Sequence, residues 1–351
     1  GFISLVITAF VYACKYWILH GVFGQIEADV MHHADVYLLI VTASIPFIAL
    51  YNGGAAVFRA MGNSEVSMKV SLLMNAINVS GNAILIYGFH CGTEGVAIPT
   101  LVSRFVAAFI IIKLLLKDKW SLHLERTYRF NPDWSMIRKI LSVGIPNGLE
   151  NSMFQLGKVL VLSLVSTFGT YAIAANAVSN VITLFSILPG QAICLAVTTV
   201  IARCVGAGDY EQAKYYNKKL ILLTHIGMAI TIFIVFITLP FILKVYNLSE
   251  AASEATRHII WFHGFCAILI WAESFTLPAT FRACGDAKAC MIISTVSMWI
   301  FRVGASYILG KNLGLGVFGV WVAMIIDWAF RSLLFGIRYF SGKWKKHALV
   351  S

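Results

Sequence analysis

Apolar positions in this chain neither alternate with polar ones nor keep to one face of a helix. They form unbroken runs of helix length separated by short polar links. A helix needs about 20 such residues to cross a bilayer, whereas a spanning barrel would show segments of about ten residues with alternating polarity. The runs predict ten spans, at about 1–24, 36–60, 68–89, 95–117, 141–168, 171–204, 216–245, 257–283, 290–310 and 316–340. The predicted fold class is an all-α polytopic membrane protein. The longest polar link divides the chain into an N-terminal lobe (1–117), a linker (118–140) and a C-terminal lobe (141–351). Residues 131–141 read either as a surface-lying amphipathic helix, with Trp134, Ile137, Ile140 and Leu141 as its apolar face, or as a plain connection.

Composition agrees with the pattern. Of 351 residues, 59% are hydrophobic and 12% charged, where a soluble domain carries about 25% charged residues. That excludes a soluble globular domain, a disordered segment and a nucleic-acid module. The net charge of +11 is explained by where the cations fall. Arg59, Lys69, the group from Lys113 to Lys139 (which includes Arg126 and Arg129), Arg203, Lys214, Lys218, Lys219, Arg282, Lys288 and the tail from Arg338 to Lys346 lie in alternate links. The opposite links hold Lys244, Arg257 and Lys311 with the acids Glu27, Asp29, Asp35, Glu94, Glu250 and Glu254. The positive-inside rule then makes the first set cytoplasmic, and with it the C-terminus, in a cell membrane. Membrane lipid is the expected surrounding, and no nucleic-acid partner is needed. The seven cysteines form no CxxC pair and read as small apolar residues. His32 and His33 are adjacent in an outer link and make a poor metal site.

An internal repeat is present. Residues 58–81 match 281–304 at an offset of 223 with 8 identities in 24 positions, beginning FRAMG against FRACG. One residue of slippage then aligns Gly95-Val96 with Gly319-Val320. The offset contains six spans, an even number, so the halves are parallel about an axis along the membrane normal, as in transporters built from two related halves. The same offset predicts that about 90 residues, two further spans, precede Gly1, giving a 6+6 arrangement of which about ten of twelve helices are present.

Several motifs occur in order: Ile145-Pro146; Ala174-Ala175-Asn176 through Pro189-Gly190 to Val205-Gly206-Ala207-Gly208-Asp209; Phe-Arg-Ala-x-Gly at the cytoplasmic ends of two spans; and Gly95-Val96-Ala97. In this the chain resembles the multidrug and toxic compound extrusion (MATE) family of efflux antiporters, from that family's third helix to its twelfth. The resemblance implies a monomeric two-lobed bundle with a central cavity. It implies export of small amphipathic organic compounds against inward H⁺ or Na⁺, with no cofactor and no enzymatic chemistry. Pro46, Pro189 and Pro278 are the expected helix interruptions on which the lobes would hinge. Related flippases for lipid-linked sugars share the fold and use cavity Arg and Lys, and they remain an alternative. A channel or membrane scaffold is a third reading, which the repeat and the intramembrane charges disfavour.

Physical chemistry points to candidate residues without the family. Eight ionisable side chains fall within spans: Lys15, Arg104, Glu150, Lys158, Glu273, Arg302, Asp327 and Arg331. Each needs a partner, an interface or a function, because an unpaired mid-bilayer charge costs about 2.5–3.5 kcal/mol or more. Asn147, Glu150, Asn151, Phe154 and Lys158 form one polar stripe that must face protein or a wet cavity. Glu150 is its candidate proton or cation site, or else a structural acid bonded to a neighbouring helix. Glu273 and Asp327 are the other ion-coupling candidates. Asp327 and Arg331, at i and i+4, are spaced for an intrahelical pair, and Glu273 and Arg302 either pair between helices or act separately. Asn176 and Asn180, and the stripe Ser71, Asn75, Asn78 and Asn82, read as helix glue or as cavity lining. Met153, Phe154, Trp271, Met298 and Trp299 supply soft apolar surface for loosely selected substrates. The substrate-binding candidates are thus Asn147, Asn151, Met153, Phe154, Lys158, Asn176, Asn180, Asn78, Trp271 and Arg302.

Overall fold

The computed structural model describes residues 1–17, 19, 28–124 and 133–347. Among them no β-strand occurs, and the chain forms two compact units, 1–130 and 131–351. The expected links around Glu27, Arg126 and Arg129 and the start of the proposed 131–141 helix lie outside the described residues.

The first unit contains α1 (Phe2–Trp17), α2 (Ala28–Ala43), α3 (Ile45–Ala60), α4 (Ser64–Ala83) and α5 (Glu94–Leu115). Its core is Tyr51, Ala55 and Phe58 of α3, Val70 of α4 and Ala107, Ile111 and Leu115 of α5. The second unit contains α6 (Trp134–Ser166), α7 (Thr170–Gly206), α8 (Tyr210–Tyr246), α9 (Glu250–Trp271), α10 (Leu277–Ala283), α11 (Ala287–Ser297) and α12 (Gly316–Phe340). Small residues let its helices approach closely, as membrane helices require. A Cβ on Gly190 of α7 would lie 2.3 Å from the Trp271 ring of α9. The outward faces are apolar: along α8, Ile226, Ile230, Phe233, Ile237 and Phe241 are all exposed. Eight helical stretches of the described residues are long and apolar enough to cross a membrane. The run at Phe2–Trp17 is shorter, and α6 carries four charges, Arg138, Lys139, Glu150 and Lys158.

The repeat recurs as local geometry. At the end of α3, Gly62 has φ of +81°; its N–H donates to the Arg59 carbonyl and that of Asn63 to the Phe58 carbonyl. After α10, Gly285 has φ of +85°; its N–H donates to Arg282 and that of Asp286 to Phe281. Both are Schellman caps, which place a glycine in the left-handed region where a Cβ is penalised. The chain then repeats a second irregularity. A π-helical turn at Ile84–Gly88 closes α4, and one at Tyr307–Asn312 follows α11 at the same offset of 223. Further π turns lie at Ala272–Thr276, between α9 and α10, and at Met298–Gly304.

Three expectations change. No separate surface helix precedes the α6 span: α6 runs unbroken from Trp134, capped by the Asp133 carboxylate, which accepts from the Met136 N–H at 3.0 Å. Pro189 does not interrupt α7, which continues for 37 residues. Pro46 does follow a break, at Ser44, and Pro278 follows the π turn at Ala272–Thr276. His32 and His33 belong to α2 rather than to a link, with His33 3.7 Å from Asp29 one turn earlier.

Candidate functional site

The polar stripe of α6 faces into the second unit. Asn151, Phe154 and Lys158 line a cavity of about 580 Å³, together with Asn180 and Gln191 of α7, His263 and Trp271 of α9, Phe275, Arg282, Arg302 and Trp321, Met324 and Trp328 of α12. A contiguous recess of about 250 Å³ adds Asn176 and shares Lys158, Asn180, Arg302 and Trp321. That volume suits a drug-sized molecule. The π turns matter here. An extra residue in a helical turn rotates the side chains that follow, and the turns at 272–276 and 298–304 carry Phe275 and Arg302.

Phe154 is the centre of a cationic cluster. Lys158 Nζ lies 5.0 Å from its ring centroid, the Arg302 guanidinium 5.2 Å and that of Arg331 5.9 Å. Arg331 also lies 4.7 Å from the Phe275 ring. Behind this layer sits Glu150. Its Oε2 accepts from Arg282 Nη1 at 3.2 Å, and its Oε1 lies 3.7 Å from Arg331 Nη2. Arg331, 3% exposed, donates from Nη2 to Ser294 Oγ at 2.8 Å, while its Nε and Nη1 have no partner. Asp327, fully buried, accepts from Ser297 Oγ at 2.5 Å through Oδ1. Buried charge of this kind is tolerated only when it is paired, hydrogen-bonded or set against an aromatic face.

A second polar pair lies between α8 and the π turn after α9. His225 Nε2 is 2.9 Å from Glu273 Oε1, and His225 Nδ1 is 2.6 Å from the Ile268 carbonyl oxygen. Glu273 Oε2 has no partner. Around the cavity, His263 packs edge-on against Trp321 and Trp328, and Trp321 Nε1 donates to Asn176 Oδ1 at 3.2 Å. The described residues contain no group of three His, Cys, Asp or Glu arranged to hold a metal ion.

The candidates from the sequence therefore separate. Asn151, Phe154, Lys158, Asn180, Trp271 and Arg302 line the cavity, and Asn176 its recess. Asn147 does not line it; its carbonyl accepts from Asn151. Met153 is half-buried outside the lining. Asn78 belongs to the first unit, where it donates to Thr100 at 3.0 Å, which is helix glue. The Asp327–Arg331 pair does not form, since one bonds Ser297 and the other Glu150 and Ser294. Nor does Glu273 pair with Arg302, because α8 supplies His225 instead. Lys15 reaches Asp35 at 2.7 Å, and Arg104 donates to Ser44 Oγ at 2.6 Å at the break before α3. Arg282 was legible only as a cation at a helix end. His225 and His263 belong to none of the sequence motifs, although a histidine inside a long apolar run is itself a signal.

The comparisons agree with this architecture. The MatE family model matches residues 1–84 and 146–308. Over 339 residues the chain is 26% identical to "Probable multidrug resistance protein NorM" of Thermotoga maritima, covering 95% of this chain and 72% of that protein. It is 27% identical over 352 residues to "Uncharacterized transporter YisQ" of Bacillus subtilis, covering 98% and 75%. An outward-facing multidrug resistance MATE family transporter of the MOP superfamily superposes with a TM-score of 0.88 at 19% identity, over 98% of this chain and 78% of the other. A MOP superfamily transporter from Pyrococcus furiosus, described by the reverse polarity of its binding pocket, superposes at 0.86 and 20% identity, over 97% and 77%. The fold is shared with these structures, and the family match spans well over half of the sequence. The chain belongs to the MatE family and is a multi-pass membrane transporter of the multidrug and toxic compound extrusion class.

Proposed function

We propose that the protein is a proton-coupled antiporter of the cell membrane, with a cytoplasmic C-terminus, that exports amphipathic organic compounds by exposing its cavity alternately to the two sides. The relatives named for multidrug resistance and the aromatic-lined cavity support the export of organic compounds. The basic alternate links support the orientation.

The observation that carries the choice of ion is the His225–Glu273 pair. A carbonyl oxygen only accepts, so His225 Nδ1 holds a proton toward Ile268. Nε2 then meets a carboxylate oxygen at 2.9 Å. That contact needs one more proton, either on an imidazolium or on the carboxyl group. The pair is a site where one exchangeable proton is held between two membrane-spanning helical segments, and intramembrane His and acid pairs are the usual material of proton relays. Glu150 is the weaker carrier, because both of its oxygens already face guanidinium groups.

Efflux from proteoliposomes, driven by an imposed pH gradient, tests the reading. His225→Gln and Glu273→Gln should each abolish gradient-driven efflux while leaving substrate counterflow, which needs no net proton movement. Efflux at the wild-type rate in both variants, or efflux driven by a Na⁺ gradient at constant pH, would overturn it.

A further inference from the structure

We propose that the cavity of the second unit selects amphipathic organic anions. The acidic head, a carboxylate, sulfonate or phosphate, lies between Lys158 and Arg302, and the aromatic or acyl body lies against Trp271, Phe275 and Trp321. This deepens the export reading above and rests on it.

The lining holds Lys158, Arg282 and Arg302 and no Asp or Glu. Two acids stand behind it, and both are engaged: Glu150 on Arg282 and Arg331, Asp327 on Ser297. Four cations therefore face two carboxylates across the wall, a net excess of two positive charges. Lys158 and Arg302 are the two that contact neither carboxylate. Neither forms an ion pair among the described residues; each lies instead against the Phe154 ring, at 5.0 and 5.2 Å.

Two like charges on one ring repel each other. An anionic head bridging them relieves that repulsion and supplies the missing counter-charge. A cationic substrate meets the opposite situation. Cavities usually recognise organic cations through aromatic faces and acids. Here the acids are absent from the lining, and the Phe154 and Phe275 rings already carry the protein's own cations, Arg331 lying 4.7 Å from Phe275. Asn151, Asn180 and Gln191 add neutral hydrogen-bonding groups, and Trp271 and Trp321 offer stacking surface.

The test uses the full protein in phosphatidylcholine nanodiscs with two pyrene probes of matched ring and opposite head, a sulfonate and a trimethylammonium. Binding is read by energy transfer from tryptophan. The sulfonate should bind at least about tenfold more tightly. Lys158→Gln/Arg302→Gln should erase that preference, and Lys158→Arg should keep it. Should the double variant fail to fold, wild-type protein carries the same test. Raising salt from about 0.01 M to 0.15 M, which shortens the screening length from about 30 Å to 8 Å, should weaken the sulfonate and spare the ammonium. Replacing part of the lipid by phosphatidylglycerol separates the sources. Competition with the sulfonate assigns the site to lipid heads as well as solutes, and unchanged binding assigns it to soluble anions. Equal or tighter binding of the ammonium probe, or unchanged sulfonate binding in the double variant, overturns the proposal. Intact sulfonate preference with no gradient-driven efflux would instead overturn only the coupling reading.

Discussion

Glu150 and Arg282, 132 residues apart, meet at 3.2 Å beneath the cavity, with the nearly buried Arg331 on the other carboxylate oxygen at 3.7 Å. One acid thus joins α6 to α10 and α12. Its removal leaves two guanidinium groups without their carboxylate. The site it supports is built by this contact as much as by the residues that line it.

Glu150→Gln should therefore lower stability markedly, by about 3–5 kcal/mol where a buried pair loses one partner. Arg282→Gln should cost less, because Arg331 still neutralises the carboxylate. The two changes should couple by about 1–3 kcal/mol in a double-mutant cycle. Thermal unfolding of the purified protein in detergent reads all three, and strict additivity would show that the contact carries no energy.

Gly190 and Gly157 look alike in the sequence but differ in what opposes them. A Cβ on Gly190 would meet the Trp271 ring at 2.3 Å; one on Gly157 would meet the flexible end of Met298 at 2.4 Å. A tryptophan locked between helices cannot yield, and a thioether can. Gly190→Ala should cost about 1–3 kcal/mol and be relieved by Trp271→Phe. Gly157→Ala should cost less than about 1 kcal/mol. Equal losses by thermal unfolding would contradict the difference in packing.

Gly62 and Gly285 close equivalent Schellman caps at φ of +81° and +85°. Alanine at either position should cost about 1–2 kcal/mol, the left-handed penalty, and asparagine distinctly less. Measured unfolding of Gly62→Ala, Gly62→Asn, Gly285→Ala and Gly285→Asn should give the same order in both units. An alanine tolerated at one of the two would break the equivalence.

Unbroken apolar runs and the repeat were enough to fix the class of the protein and the course of its helices, and the repeated Phe-Arg-Ala-x-Gly motif marked where two of them end. Those features depend on local physics: bilayer thickness sets span length, and a left-handed residue after a helix requires glycine wherever the chain folds. The stripe of α6 was legible for the same reason, since a polar face on an apolar helix must turn inward. The partners of its charges were not. Spacing along one helix proposed Asp327 for Arg331, yet Ser294 and Ser297 of α11 and Glu150 of α6 bind them instead. Neighbouring spans left Glu273 and Arg302 either paired or separate, and α8 presents His225 to Glu273. The start of the long α6 also escaped the pattern, because Arg138 and Lys139 lower its hydropathy without ending the helix. Sequence thus determined which side chains had to be withdrawn from lipid. Only tertiary structure decided which of them meet, because buried charges are satisfied across helices whose rotation and kinks, set here by π turns and close glycine contacts, leave no periodic trace in the chain.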